Sequence, residues 1–310
     1  MEISVVIPLY NKKETIIRAL ESVLNQTYGA REIIVVNDGS SDGCDELVRS
    51  MNIENLRLVD QINAGVSAAR NRGFRSANCE WVAFLDGDDE WEVDFLRSVE
   101  GMHQRYPGHE VYATAYFAGD YLGARRRIQL NRVPFSDDEG VLENYFEVAS
   151  CSDPPLWSSA ICIRKEALYQ IGGFPLDIKS GEDLLTWARL AVRTPPVYCT
   201  RPLAVFWQEK AHTYHDRPNR VPEPDDPVGN KLAELKKVSG GLVRDIDRYL
   251  SMWHKMRSSI YLRLGFPGRA FPEILKALWY QPTSVRLYVY LLLCVMPPSV
   301  TGKAFKKFGQ

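Results

Sequence analysis

The 310-residue sequence has no C-x-x-C pair among its six cysteines, an absence that argues against a disulfide framework and against a cysteine-ligated zinc site. Cys79, Cys162 and Cys294 lie in or beside apolar stretches. We therefore expect reduced thiols in a cytosolic protein. A secretory signal is also lacking, because Glu2 stands where such a signal is basic and the apolar run 3–9 is too short.

Glycine-rich phosphate-binding loops are missing as well. Neither a G-x-G-x-x-G nor a Walker A pattern occurs. The phosphates of a bound nucleotide would therefore have to be held chiefly by a metal ion and by side chains. The aromatic-glycine motifs of nucleic-acid-binding proteins are absent too, so we expect no nucleic-acid partner.

Charge is unevenly distributed along a chain of otherwise ordinary globular composition. The net charge is −1, but residues 231–310 hold fourteen Lys and Arg against four Asp and Glu, a local charge of +10. Residues 1–230 hold the remaining 24 Lys and Arg against 35 Asp and Glu, a local charge of −11. Such asymmetry indicates an anionic partner for the basic part, and we favour a membrane surface over nucleic acid.

The first hundred residues alternate between short apolar runs and segments whose apolar residues recur at helical spacing. This alternation predicts a parallel sheet with helices on both faces, and ligands bind such sheets at the carboxyl ends of the strands. A capping box from Asn11 to Glu14 is expected to open the first helix. The predicted strands are 3–9, 33–36, 56–59 and 81–85, and the predicted helices include 16–24 and 64–77.

Three polar clusters follow three of these strands, at 8–11, 38–42 and 86–89. Because the carboxyl ends of parallel strands meet at one edge of a sheet, we expect the clusters to lie over one crevice.

Beyond residue 109 the pattern changes to longer strands mixed with helices. We predict strands at 111–117, 126–130, 158–163 and 197–207, and helices at 164–171 and 182–193. A loop over 208–230 and a mostly helical region over 231–310 complete the pattern.

The stretch "FLDGDDEW", residues 84–91, places four acids within five positions directly after a buried strand. One interpretation is an acidic turn that complements the start of the next helix. The other is a divalent-cation site, because Mg²⁺ commonly takes one or two carboxylates together with substrate phosphates. Asp38, at the neighbouring strand end, could bond a ribose or a base edge. A nucleoside diphosphate bridged to a metal would then be the natural ligand.

Five segments resemble, in order and spacing, the family 2 glycosyltransferases: "SVVIPLYN", "VVNDGSSD", "NAGVSAARNRG", "FLDGDDEW" and "GGFPLDIKSGED". The resemblance covers roughly residues 3–207. It implies the α/β GT-A fold, in which a mostly parallel, Rossmann-like sheet binds a nucleotide-sugar, usually a UDP-sugar, with Mn²⁺ or Mg²⁺. The expected domain 1–230 would divide into a nucleotide-sugar half, about 1–108, and an acceptor half with mixed strands, about 109–230. The basic helical region 231–310 would follow.

The resemblance also assigns roles by position. It places Pro8, Tyr10 and Asp38 in the nucleoside pocket. It implies that Asp86 faces the ribose or the metal and that Asp88 is the principal metal ligand. Arg70 has two interpretations, a solvated helix face or a residue that binds or supports the nucleotide pocket. The resemblance favours the second.

Glu182 and Asp183 open the predicted helix 182–193, where acids often only complement the helix N-terminus. The resemblance instead makes one of them the catalytic base. Inversion at a sugar carbon needs a single base, which takes the proton of the acceptor hydroxyl, while the metal stabilises the departing diphosphate. We predict Asp183 as the base, with Glu182 as the alternative.

Two further residues each have two interpretations. His212 lies in the loop after the last predicted strand, where a surface position is ordinary. Some relatives, however, place a histidine here near the metal or the diphosphate, which makes His212 a candidate metal ligand. Trp157 is either a platform for a sugar ring or a core residue.

The apolar segment 285–296, "VRLYVYLLLCVM", contains one charged residue, Arg286. Its length of about 12 residues falls short of the ~20 that a membrane-spanning helix needs. The segment is therefore either a buried core helix or an interfacial helix. The local charge of +10 and three lysines in the last eight residues support the interfacial interpretation.

The function implied by the resemblance is an inverting, metal-dependent transfer of a sugar to a saccharide or lipid-linked acceptor. We expect it to serve surface polysaccharide synthesis at the inner face of a membrane. One alternative is a catalytically inactive nucleotide-sugar-binding protein, against which the intact Asp88 and Asp183 argue. The other is a metal-dependent nucleotidyltransferase, but its expected glycine-containing basic loop is absent, since residues 8–13 hold no glycine.

Overall fold

The computed structural model describes residues 1–208, 218, 221–297, 301 and 304. The chain forms two compact units. The N-terminal unit comprises Met1–Val148 and Ser152–Trp207, and the C-terminal unit comprises Ala149–Cys151 and Gln208–Gln310. All six cysteines are free thiols.

The N-terminal unit is built on one sheet, in which ten strands pair among the described residues. In chain order they are β1 Ile3–Leu9, β2 Glu32–Asn37, β3 Leu56–Asp60, β4 Trp81–Phe84, β5 Glu90–Trp91, β6 Val111–Gly119, β7 Arg125–Arg127, β8 Glu139–Val141, β9 Ile161–Arg164 and β10 Val197–Trp207.

The first four strands lie in the order β3-β2-β1-β4 and are all parallel, as the alternating pattern predicts. Val5 of β1 pairs with Ile33 on one side and with Ala83 on the other. All seven residues of β1 are buried, which is typical of a central parallel strand covered on both faces.

The second part of the sheet is mixed, which also agrees with the prediction. Strand β9 runs antiparallel to both β4 and β6, whereas β10 runs parallel to β6. The short strands β5, β7 and β8 pair antiparallel to their neighbours.

Helices accompany the strands as the periodicity predicts. The first helix buries Ile16, Ala19, Leu20 and Val23, which recur along one face. The helices up to residue 207 are α1 Ile16–Leu24, α2 Cys44–Ser50, α3 Val66–Ser76, α4 Phe95–Arg105, α5 Tyr145–Cys151, α6 Lys165–Gln170 and α7 Glu182–Arg193.

Two local predictions are wrong because tertiary contacts outweigh them. Asn11 does not cap α1; it adopts a left-handed conformation, and its Oδ1 accepts a hydrogen bond from the Ser41 backbone N–H at 2.8 Å. Residues Ser158–Ala160 form a 3₁₀ turn, so strand β9 begins only at Ile161. The hydroxyl of Ser159 within this turn bonds to the loop that follows β4.

Helices make up most of the C-terminal unit, in agreement with the predicted helical region. They are α8 Pro227–Leu235, α9 Val243–Leu264, α10 Pro267–Tyr280 and α11 Val285–Cys294. The start of α8 at Pro227 shortens the predicted loop 208–230. A shared apolar cluster of α9, α10 and α11 contains Tyr261, Leu262, Ala270, Ile274, Ala277 and Leu287. No helix within the described ranges has both the length and the apolar character that crossing a bilayer requires.

A buried group of charged residues lies beside this cluster. Asp226, His254 and Glu273 each bring a possible ligand atom within 4.8 Å of the others. Arg257, however, contacts the same carboxylates, with its Nε 3.1 Å from Glu273 Oε2 and its Nη1 3.5 Å from Asp226 Oδ1. Although burial acts to raise the pKa of Glu273, hydrogen bonds from His254 and Arg257 lower it. Because Arg257 already supplies the balancing charge, we interpret the group as a structural ion network.

Candidate active site

The carboxyl ends of β1, β2 and β4 lie side by side, because these strands are parallel neighbours in the sheet. Hydrogen bonds join their loops directly. The backbone N–H of Asn11 donates to Ser40 Oγ at 3.1 Å, and Thr15 Oγ1 donates to the carbonyl of Gly87 at 2.8 Å. The three polar clusters therefore meet at one edge of the sheet.

Asp38, at the end of β2, is buried to 3% exposure. Its Oδ1 accepts hydrogen bonds from Gln61 Nε2 at 2.7 Å and from the Ala64 N–H at 2.8 Å. Its Oδ2 accepts from the Gly65 N–H at 2.8 Å. The Asp38 carboxylate thus fixes the loop that leads into α3, and its contact with a nucleoside stays a prediction.

The end of β1 combines a buried proline with an exposed aromatic residue. Pro8 is buried, whereas Tyr10 is 49% exposed. A Cβ atom at Gly87 would lie 3.3 Å from the carbonyl oxygen of Pro8. Such a short separation is tighter than most Cβ contacts, so glycine between Asp86 and Asp88 lets the loop after β4 approach β1 closely.

Arg70 on α3 connects the two acidic motifs of the site. The residue is 3% exposed, and its Nη2 donates to both carboxylate oxygens of Asp86, at 2.8 and 2.9 Å. Its Nη1 lies 3.7 Å from Glu182 Oε1 at the start of α7. The guanidinium also stacks over the Phe174 ring, 5.4 Å from its centroid. Although burial acts to lower the pKa of Arg70, the charges of Asp86 and Glu182 raise it.

Asp88 is the most exposed acid of this loop. Its side chain is 27% exposed, and Oδ2 lies 2.6 Å from Lys12 Nζ. Sequence reasoning missed Lys12, and its position directly after the polar end of β1 was the available signal. A hard divalent cation prefers such a carboxylate oxygen, but to bind here it would have to displace Lys12 Nζ from Asp88.

Asp89 has a different environment from its neighbour, because it is buried. Its Oδ2 accepts from Ser159 Oγ at 2.5 Å and from Trp157 Nε1 at 3.2 Å, and its Oδ1 accepts from the Trp207 N–H at 3.0 Å. Burial and the charges of Asp88 and Asp86 raise the pKa of Asp89, while the hydrogen bonds from Ser159 and Trp207 act to lower it. Asp89 thus fastens the loop to β10 and to the turn before β9.

The remaining acid of the stretch, Glu90, forms ion pairs with Arg18 and Arg125. The four acids after β4 therefore divide into two groups. Asp86 and Asp88 face the candidate site, whereas Asp89 and Glu90 stabilise the surrounding structure.

Glu182 and Asp183 open α7 next to Arg70. Burial, followed by the charge of Asp183, raises the pKa of Glu182 to about 7. Burial also raises the pKa of Asp183, whose Oδ1 accepts from the Leu184 backbone N–H at 2.8 Å. Carboxylates with raised pKa values in a polar cleft are typical of acid–base catalysis.

Trp157 and His212 complete the candidates. The Trp157 ring packs on Phe206 and Tyr116, with centroid separations of 4.3 and 5.5 Å, and its indole N–H bonds to Asp89. These contacts favour the core interpretation over a sugar platform. His212 lies outside the described residues.

Residues 4–157 match the family model described as Glycosyl transferase family 2. The chain belongs to this family. It is 46% identical over 91 residues to the uncharacterized glycosyltransferase YibD of Escherichia coli (strain K12), covering 29% of this chain and 26% of that protein. It is 30% identical over 200 residues to an uncharacterized glycosyltransferase of Rickettsia bellii (strain RML369-C), covering 62% of this chain and 26% of that protein. The matches thus span about a quarter of each relative's length.

Solved structures share the fold of this family 2 member. S. aureus TarS 1-349, in complex with UDP-GlcNAc, aligns with a TM-score of 0.72 at 16% identity, covering 100% of this chain and 93% of that one. The mannosyltransferase PcManGT from Pyrobaculum calidifontis, in complex with GDP-Man and Mn²⁺, aligns with a TM-score of 0.59 at 18% identity, covering 100% and 88%. At these identities the likeness concerns the fold, and it confirms the predicted GT-A fold class.

Proposed function

We propose that this family 2 member is an inverting, metal-dependent glycosyltransferase that uses a nucleotide-sugar, with UDP as the nucleotide. The observation that carries the proposal is the Asp86–Arg70–Glu182 chain of contacts. These contacts join the acidic loop at the end of β4 to the acids that open α7. The proposed donor site and the proposed base therefore both adjoin the buried guanidinium of Arg70.

The donor would lie over the ends of β1, β2 and β4. Tyr10 offers an exposed ring at this edge, with Pro8 buried beneath it in the strand. Asp38 would meet the nucleoside while holding the loop before α3. The choice of UDP is supported by the UDP-GlcNAc complex of TarS, whereas PcManGT was solved with GDP-Man.

The residues at this edge fit a hard divalent cation. Asp88 presents an accessible carboxylate, and Asp86 lies in the same loop, although Arg70 occupies both its oxygens. Among the described residues, the group of three possible ligands lies elsewhere, at Asp226, His254 and Glu273. A cation here would therefore take few protein ligands and several phosphate or water oxygens, which suits Mg²⁺ or Mn²⁺. When bound by Asp88, it would offset the charge of the leaving diphosphate.

Asp183 is the proposed base. The oxygen of the acceptor hydroxyl attacks the anomeric carbon of the donor, and its proton passes to the Asp183 carboxylate. The bond from that carbon to the diphosphate oxygen breaks, and the nucleoside diphosphate leaves with the electron pair. Glu182 Oε1 lies 3.7 Å from Arg70 Nη1, whereas Asp183 forms no ion pair within the described residues and accepts a hydrogen bond from the Leu184 backbone N–H. That contrast supports Asp183 over Glu182.

The acceptor is proposed to be a saccharide or a lipid-linked sugar in surface polysaccharide synthesis. We place the enzyme peripherally on the inner face of a membrane. The charge of +10 over residues 231–310 supports this location, because anionic lipids attract such segments.

A screen of nucleotide-sugars, with and without Mn²⁺ or Mg²⁺, tests the proposal. The correct donor should raise the unfolding temperature in the presence of metal, as mass action requires. It should also release its nucleoside diphosphate when acceptor is added. Binding without release would favour an inactive binding protein, and release of pyrophosphate from a nucleoside triphosphate would favour a nucleotidyltransferase.

A further inference from the structure

Helix α11 is apolar on the side that packs against α9 and α10, and it is also apolar on the opposite side. Leu287 is buried in the cluster shared with α9 and α10, and Leu291 and Cys294 pack against it. The opposite side is exposed and equally apolar. Its exposed residues from the helix and the turn that follows are Val285, Tyr288, Val289, Leu292, Val295 and Met296. A helix in water normally places polar residues on that side.

Helix α10 also exposes apolar side chains on the side that does not pack. Its inner side buries Ala270, Ile274 and Ala277, while Phe271, Leu275 and Trp279 are exposed. These three residues are spaced four apart, so they form one stripe along the helix. Trp279 is 85% exposed, an unusual state for the largest apolar side chain.

The exposed charges of these two helices are all positive. Arg269, Lys276 and Arg286 are exposed. The one acidic residue between positions 267 and 296 is Glu273, which is buried and bonded to His254 and Arg257. The region therefore combines apolar stripes with basic side chains and no exposed acid.

We propose that the exposed apolar stripes of α10 and α11 form a membrane-docking surface that inserts into the headgroup region of a bilayer containing anionic phospholipid. The proposal deepens the peripheral membrane location given under "Proposed function" and rests on it. Apolar side chains enter the interface, tryptophan favours the headgroup level, and arginine and lysine meet the lipid phosphates.

A second copy of the chain is the other candidate occupant, and the charge distribution argues against it. A two-fold interface brings the same surface of both copies together. Arg269 and Lys276 would then lie against a surface that carries the same positive charges, and neither helix has an exposed acid to offset them. Like charges across an interface disfavour association.

Co-sedimentation with phosphatidylcholine vesicles, with and without phosphatidylglycerol, tests the docking surface in the full chain. We expect binding to the anionic vesicles that weakens as salt is raised. The double variant Trp279→Glu/Leu292→Glu should bind the anionic vesicles at least about tenfold more weakly than the wild type does. Two exposed positions then lose the apolar side chains that would insert into the bilayer. Val238→Glu, at a 73% exposed position of the same unit, adds negative charge outside α10 and α11 and should bind vesicles nearly as the wild type does.

A second measurement avoids dependence on the folding of the double variant. Brominated lipids should quench the fluorescence of the wild type more strongly than that of Trp279→Phe. Equal quenching would contradict the proposal, as would wild-type protein that stays in the supernatant with anionic vesicles at low salt. A wild-type dimer that the double variant converts to monomers would assign the surface to a second copy instead.

Titration of the same proteins with nucleotide-sugar and metal separates this inference from the proposed function. We expect the double variant to lose vesicle binding and to retain donor binding. Vesicle binding without any donor binding in the wild type would overturn the proposed function and leave the docking surface intact.

Discussion

Arg70 donates from a single nitrogen to both carboxylate oxygens of Asp86, at 2.8 and 2.9 Å, in a buried position between the acidic loop after β4 and the start of α7. This contact fixes Asp86 in the loop that also carries Asp88. The other end of the same guanidinium faces Glu182. Arg70 therefore aligns the proposed donor side with the proposed base.

Replacement of Arg70 by lysine should weaken both stability and turnover. A lysine keeps the charge but cannot reach Asp86 and Glu182 together, because it lacks the planar fork of arginine. We expect Arg70→Met to lower the free energy of unfolding by about 2–4 kcal/mol, since it leaves Asp86 and Glu182 without their cation, and Arg70→Lys to lower it by less. Urea unfolding and steady-state kinetics measure the two effects. Arg75→Lys, on the exposed side of α3, is the control and should change neither.

The adjacent acids Asp88 and Asp89 should lose different amounts of stability when each is replaced by asparagine. Asp89→Asn places an amide where three donors meet a buried carboxylate, so we expect a loss of about 2–4 kcal/mol in the free energy of unfolding. Asp88→Asn should cost less than about 1 kcal/mol, because its pair with Lys12 is partly exposed. Equal losses in urea unfolding would contradict this division of roles.

Apolar patterning alone predicts the parallel half of the sheet correctly. The runs 3–9, 33–36 and 81–85 are apolar on both faces, and such runs are typical of parallel strands with helices on either side. Helix α7 begins and ends at the predicted residues, Glu182 and Arg193. The order of strands and helices along the chain is therefore sufficient to assign the polar residues after β1, β2 and β4 to one edge of the sheet.

Contacts between distant segments could not be predicted in this way. Ser159 and Trp207 bond to Asp89 across 70 and 118 residues, and these bonds exist only because β9 and β10 are placed beside the loop after β4. Asn11 shows the same limit. Its sequence neighbourhood matches a capping box, but its side chain bonds to Ser41 on the next strand end. Local patterns carry no information about such partners.

Replacement of each of the two acids that open α7 should distinguish the base from its neighbour. Asp183→Asn should lower kcat by about 10²–10⁴-fold while leaving the affinity for donor near that of the wild type, because a positioned base acts on the acceptor proton. Glu182→Gln should have a smaller effect, through the position of Arg70. Steady-state kinetics and donor titration of both variants test this. If Glu182→Gln abolishes turnover while Asp183→Asn retains it, the base is Glu182.

The pKa of Glu182 predicts a pH dependence. Because burial and Asp183 raise that pKa to about 7, Glu182 is neutral below about pH 7 and charged above it. The charged form attracts Arg70, so we expect kcat/KM to increase as pH rises through about 7. In Glu182→Gln this step should disappear. Initial rates across the pH range, at fixed metal concentration, check the expectation, and an unchanged step near pH 7 in the variant would refute it.

Calorimetric titration of the wild type and Asp88→Asn with a nucleotide-sugar, in the presence and absence of Mn²⁺, tests the central claim most directly. The account predicts metal-dependent binding to the wild type, its loss in Asp88→Asn, and its retention in Asp137→Asn, which removes an exposed acid outside the site. Loss in Asp88→Asn follows because the cation loses its accessible carboxylate ligand. Equal, metal-dependent affinity in the wild type and in Asp88→Asn would contradict the assignment of the donor site to the end of β4.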